Sequence, residues 1–231
     1  MSLTKSFAGF AHTRENYQYS DFHQSLLHEN PAENYALKHI YSVENCRHLL
    51  SNWGWNASDI KIGTNHITID VREKTVYLHI PNTIIKRNKS VKIRGISRYV
   101  KKADFVETLI NRAWSKADPY KLEPGDDWSE LIAQGNTGDF YELNLTSISV
   151  TCTCHAFSGL VKAFKQDAIA ATCLINHEKC RGQIPDKHCF GVWKYLGAEN
   201  QRQYEDRFIA RRDKFLEEKL RSWDINLFPK Y

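Results

Sequence analysis

The chain has 231 residues, 42% of them hydrophobic and 12% aromatic, and a net charge of +5. That composition predicts a folded protein long enough to bury a core without disulfides, and excludes a disordered polypeptide. No apolar run approaches the roughly 20 residues needed to cross a bilayer, and the first residues lack an apolar stretch with a cleavage pattern. The expectation is a soluble, intracellular protein with no membrane partner.

Residues 1–33 are polar and without period, and are expected to form a flexible arm. Ser42 to Trp53 begins with a capping serine and carries Val43, Cys46, Leu49, Leu50 and Trp53 at helical spacing, which predicts a short helix ending near Gly54. His66–Val71 and Thr75–Ile80 are rich in β-branched and aromatic residues and predict a hairpin closed by Pro81. Thr83–Ile85 follows, and Ser90–Arg94 then alternates apolar with basic residues, as a strand with one cationic face does. Asp104 to Trp114 places Phe105, Val106, Leu109, Ile110 and Trp114 on one side of a helix.

Charge is concentrated in this region. Asn82 to Lys121 carries eleven basic residues against three acidic ones, a net +8, which leaves −3 for the rest of the chain. A polyanion-binding surface has that kind of local excess. Lys86, Arg87, Lys89, Lys92, Arg94, Arg98, Lys101 and Lys102 are its candidate nucleic-acid-binding residues. Tyr77 and Tyr99 lie among them in predicted strands, a combination suited to stacking on single-stranded bases. The competing explanation is a solvated strand face with its aromatics in the core.

Pro119, Pro124 and Gly125 break the pattern, and Pro119–Gly138 is the expected boundary between two lobes. Tyr141–Val150 predicts a strand or strand pair. A helix is expected from Ala156 to His177, a loop from Gly182 to Pro185, and a second helix from Lys187 to Leu196 stopped by Gly197. A charged helix follows from about Glu199 to Ser222, with Tyr204, Phe208, Phe215, Leu216 and Leu220 on its apolar stripe.

Five of the six cysteines, Cys152, Cys154, Cys173, Cys180 and Cys189, fall within 38 residues that also hold His155, His177 and His188. An odd cluster of this kind points to metal binding rather than to a disulfide framework. In extended backbone, residues two apart face the same side, so Cys152 and Cys154 can meet one ion. His188 falls in the first turn of its predicted helix, directed back at the incoming strand. Two thiolates and an imidazole are three of the four corners of a structural Zn2+ site.

Val150–Phe157 together with Ile184–Val192 resembles the SWIM-type zinc finger, whose pattern is Cys-x-Cys, a variable spacer and Cys-x-His on two strands and a helix. The resemblance covers about residues 141–197, with a long spacer of 33 residues from His155 to Lys187. It departs in one respect: Asp186 stands where the family has its third cysteine. Asp186 is expected to serve first as a helix N-cap, with an oxygen-ligand role as the alternative. Cys180 is then the expected fourth ligand, ahead of the Cys173 and His177 pair and of His155.

The resulting expectation is an α+β fold: a flexible arm (1–33), a basic lobe of strands and helices (34–118), a strand–strand–helix zinc module (139–197) and a C-terminal helix and tail (198–231). The resemblance implies a non-enzymatic, nucleic-acid-associated factor, with DNA the first partner and zinc structural. A protein–protein adaptor docking through the zinc module and last helix is the alternative, and a zinc hydrolase the second. The sequence has no His-Glu-x-x-His, P-loop or dinucleotide fingerprint to favour catalysis.

Overall fold

A computed structural model describes residues 36–54, 67–69, 74–80, 83–86, 89–92 and 96–227. The fold is α+β, built from two small antiparallel sheets, a two-stranded ribbon and a set of helices that join them. The expected arm at 1–33 lies outside the described residues. Among the described residues, no helix is long and apolar enough to cross a membrane.

Helix α1 (Val43–Asn52) starts as its sequence predicts, with the Ser42 side chain accepting from the Asn45 amide at 3.0 Å. Strands β1 (Ile67–Ile69) and β2 (Thr75–Ile80) form the expected hairpin, with Ile67 opposite Leu78. Strands β3 (Thr83–Lys86) and β4 (Lys89–Lys92) pair with each other as a separate ribbon. The chain then returns as β5 (Ile96–Lys101) on the other edge of β2, with Tyr99 opposite Tyr77. Side chains alternate as a one-sided sheet requires: Val76, Leu78 and Val100 are buried, while Tyr99 is 51% exposed.

Helix α2 (Lys102–Ser115) buries Phe105, Val106, Leu109, Ile110 and Ala113 and packs against α1. The segment Pro119–Gly138, expected as a boundary, contributes half of the second sheet. It holds a 3-10 turn at Pro119–Lys121 followed by β6 (Leu122–Pro124) and β7 (Glu130–Gln134). With β8 (Phe140–Leu145) and β9 (Val150–Cys152), these form an antiparallel sheet in sequence order. The strands are short and flanked by proline and glycine, which masks them, yet Leu131, Ala133, Leu143 and Leu145 alternate inward.

The helix expected over Ala156–His177 is two helices, α3 (His155–Gln166) and α4 (Ala168–Ile175). Asp167 divides them. Its Oδ1 accepts from the Ile169 and Ala170 amides at 3.1 and 3.0 Å, capping α4. Its Oδ2 accepts from the Lys102 ammonium at 2.9 Å and the Tyr41 hydroxyl at 2.7 Å. Lys102 and Asp167 are both fully buried, so this ion pair ties the start of α2 to the α3–α4 junction.

Helix α5 (Lys187–Tyr195) ends at Gly197, whose φ of 73° lets the Ala198 amide reach back to the Trp193 carbonyl at 2.7 Å. Helix α6 (Gln201–Leu227) follows. A line of rings links α2, α5 and α6: Trp114 to Phe190 at 5.5 Å, Phe190 to Trp193 at 5.3 Å, and Trp193 to Tyr204 at 5.7 Å. The Tyr204 hydroxyl donates to the Thr146 and Ser149 carbonyls at 2.6 and 3.1 Å, fixing the β8–β9 turn that leads into the cysteines.

Candidate metal centre

Cys152 ends β9 and Cys154 is the N-cap of α3, two residues on. The turn between them directs the Cys154 amide onto the Cys152 sulfur at 3.4 Å, while the Cys154 sulfur accepts from the Phe157 amide at 3.4 Å. A sulfur at a helix N-cap lies at the positive end of the helix dipole, which favours the thiolate. The second half of the site comes from the start of α5. Asp186 is its N-cap, and His188 lies in its first turn.

The four side chains converge. The ligand atoms of Cys152, Cys154, Asp186 and His188 all lie within 4.8 Å of one another, as a group able to hold a metal ion. The Cys152 sulfur is 3.5 Å from His188 Nδ1, and the Cys154 sulfur is 3.4 Å from Asp186 Oδ2. All four residues are 9% exposed or less. The Tyr141 ring lies over the His188 ring at 5.0 Å and shields that side.

Asp186 is placed for both roles that its sequence position allowed, as a helix cap and as a member of the cluster. One oxygen, Oδ1, accepts from the His188 and Cys189 amides at 2.9 and 3.4 Å and so caps α5. The other, Oδ2, faces the sulfurs. Cys180, expected as the fourth ligand, is not in the cluster. It is fully buried, and burial pushes its thiol up to about 12, as in an apolar core. Gln183 supplies the reason. Its side chain accepts from the Val150 amide at 2.8 Å and donates to the Val150 carbonyl at 2.9 Å, pairing with β9 as a neighbouring strand would. That pairing brings the loop after it, and therefore Asp186, onto the cysteines. Among the described residues, Cys173, His177 and His155 also stand outside the cluster, and Cys189 is a core residue whose sulfur meets the Val150 carbonyl at 3.4 Å.

The electrostatics are those of a charge-separated ligand set. Sharing a proton with Cys152 lowers the Cys154 thiol to about 6, with help from His188 and the Phe157 amide against the effect of burial. The same sharing, with burial, raises Cys152 well above the ordinary thiol range. Burial opposes a charge on His188, but the Asp186 carboxylate and the Cys154 sulfur outweigh it and hold the imidazole at about 9. Burial likewise opposes ionisation of Asp186, and contacts with His188 and Cys154 prevail to keep it below the usual carboxylate value.

The expected nucleic-acid-binding residues are placed unevenly. Lys86, Lys89, Lys92 and Arg98 lie in strands, but their side chains are outside the described residues, as are Arg87 and Arg94 altogether. Lys101 is exposed at the end of β5. Lys102 is corrected: it is fully buried against Asp167 and cannot meet a phosphate. Beside Lys101, the Tyr77 and Tyr99 rings are 5.0 Å apart, and Tyr77 stacks on His79 at 6.4 Å.

Sequence reasoning missed Gln183, because a glutamine in a loop carries no signal of strand pairing. It missed the Tyr141 ring for the same reason, since β8 alternation places it without naming its neighbour. Compared with protein-family models, with curated proteins and with solved structures, the chain matches none.

Proposed function

We propose that the chain is a zinc-binding, nucleic-acid-associated protein in which zinc is a structural staple of a SWIM-like module. The observation that carries this reading is the four-residue cluster of two sulfurs, one imidazole nitrogen and one carboxylate oxygen. Ligand atoms at zinc bond lengths of about 2.0–2.3 Å sit roughly 3.3–3.8 Å apart on a tetrahedron. Two of the six separations between these donors, 3.5 Å and 3.4 Å, fit such edges, and the others lie within 4.8 Å. The soft sulfur pair favours zinc over magnesium or calcium, which take oxygen ligands. Four protein donors in a buried site leave no position for a reactive water, so the bound ion would hold the end of β9 to the start of α5 rather than act on a substrate.

The nucleic-acid part of the proposal is supported by the local +8 stretch and by the Tyr77–Tyr99 face next to Lys101. Aromatic rings on an open sheet bind bases by stacking, while neighbouring lysines neutralise phosphates. A specific feature favours the adaptor as the second reading: Ile209, Leu216 and Leu220 are 42%, 48% and 60% exposed on α6. Elemental analysis should find one zinc per chain, lost in Cys152→Ser. Zinc retained at full stoichiometry by that variant would defeat the metal assignment. Fluorescence titration with a labelled oligothymidylate should show affinity that falls steeply with salt and drops about tenfold in Tyr99→Ala. No binding at low salt would leave the adaptor reading ahead.

A further inference from the structure

A cleft of about 610 Å³ opens beside the metal centre, with Asp186 and His188 in its wall. Five basic side chains line it among apolar ones: Lys38, Arg112, Lys116, Lys121 and Lys187. Three carboxylates also line it, Glu44, Asp118 and Asp186. Glu44 bonds both Arg112 at 2.6 Å and Lys116 at 2.8 Å, and Asp118 accepts from the Tyr120 amide at 3.0 Å. Among the described residues, Lys121 reaches the neutral Asn136 side chain, at 2.9 Å. Lys187 opens α5, where the helix dipole adds to its positive potential.

Among the described residues, two buried donors on cleft-lining residues have no hydrogen-bond partner: Arg112 Nε and His188 Nε2. His188 meets the sulfur cluster through Nδ1, which leaves Nε2, a buried nitrogen of a cleft-lining residue, without an acceptor among the described residues. Arg112 is fixed through its other nitrogens by Glu44 and Asn45. Among the described residues, the lining therefore holds two lysine charges without a carboxylate partner, on the 3-10 turn and α5, and two buried N–H groups without acceptors, on α2 and α5. A neutral or singly accepting ligand would leave most of them unmet. A compact anion with several acceptor oxygens can meet lysine charge and N–H groups from separate walls.

We propose that this cleft seats a phosphate group, carried as an ester on a mononucleotide or on a nucleic-acid strand. The site is separate from the Tyr77–Tyr99 face and uses none of its residues, so either can fail without the other. The test is isothermal titration of the full-length, zinc-loaded protein with inorganic phosphate at low salt. Saturable binding is expected, weakened by at least roughly tenfold in Lys121→Ala/Lys187→Ala and retained in Lys121→Arg/Lys187→Arg. Lys162→Ala, on the exposed side of α3 and outside the cleft, should leave it unchanged. Competition then separates the sources: displacement by adenosine monophosphate identifies a mononucleotide ligand, and displacement by oligothymidylate a strand. Absence of saturable phosphate binding, equal weakening by Lys162→Ala, or displacement by neither ester would overturn the proposal.

Discussion

Asp186 divides its carboxylate between two tasks, and substitutions can take them apart. Asparagine keeps an oxygen to accept from the His188 and Cys189 amides but loses the anionic donor that faces the cysteine sulfurs. Structural zinc in a four-ligand site is worth about 10–16 kcal/mol in all. One donor of four is then worth about 3 kcal/mol, a loss in affinity on the order of a hundredfold. Asp186→Asn should therefore bind zinc about a hundredfold more weakly while α5 keeps its cap. Asp186→Ala should lose the cap as well, with about 1 kcal/mol of further destabilisation in the metal-free protein. Asp186→Cys should bind zinc at least as tightly as wild type, because a thiolate replaces the carboxylate. Competition titration against a chromophoric chelator measures the affinities, and urea unfolding of the metal-free proteins measures the cap. Cys180→Ser is the control and should leave zinc affinity unchanged. Wild-type affinity in Asp186→Asn, or a hundredfold loss in Cys180→Ser, would refute the assignment of the fourth donor.

Zinc affinity should rise with pH. Near neutrality the metal-free site carries one proton on raised Cys152 and one on His188, held at about 9, while Cys154, at about 6, is already ionised. Zinc must displace both protons, so affinity should change by on the order of a hundredfold per pH unit between about 6 and 9. Calorimetry in buffers of different ionisation heat should count two protons released per zinc, and a count of none would contradict the charge arrangement. Lys102→Met leaves the buried Asp167 carboxylate without its cation and should cost about 3–5 kcal/mol in urea unfolding. Lys101→Ala, one residue earlier and exposed, should cost under about 0.5 kcal/mol. Gln183→Leu strands the Val150 amide and carbonyl in the interior and should cost about 2–3 kcal/mol. A loss below about 0.5 kcal/mol would mean that the strand-like pairing contributes nothing.

Periodicity made the helices and the first hairpin legible. Ser42 announced α1, the apolar spacing of Asp104–Trp114 announced α2, and Gly197 marked the end of α5. The Cys-x-Cys pair and His188 were legible too, because two-residue spacing on a strand and a first-turn histidine leave few other geometries. Three features were not. Asp167 reads as one more polar residue in a helical pattern, and only its pairing with Tyr41 and Lys102, 126 and 65 residues away, makes it a break. Lys102 reads as part of a basic run because burial of a lysine depends on that distant carboxylate. The placement of Asp186 rather than Cys180 in the cluster goes with Gln183 docking to Val150, 33 residues earlier, which no local pattern encodes.

The buried Lys102–Asp167 pair sets a limit on how the protein can be dissected. A fragment cut at 139–197, the span of the finger-like motif, would keep all four metal donors. It would also strip β6 and β7 from their sheet and leave Asp167 facing neither Lys102 nor Tyr41. The spacer between the two half-motifs is thus a bracket bolted through Asp167 to Lys102 and Tyr41, and the candidate metal centre sits at its two ends. Among the described residues the buried ones run from Ala36 to Phe208, so a deletion that enters that span removes core.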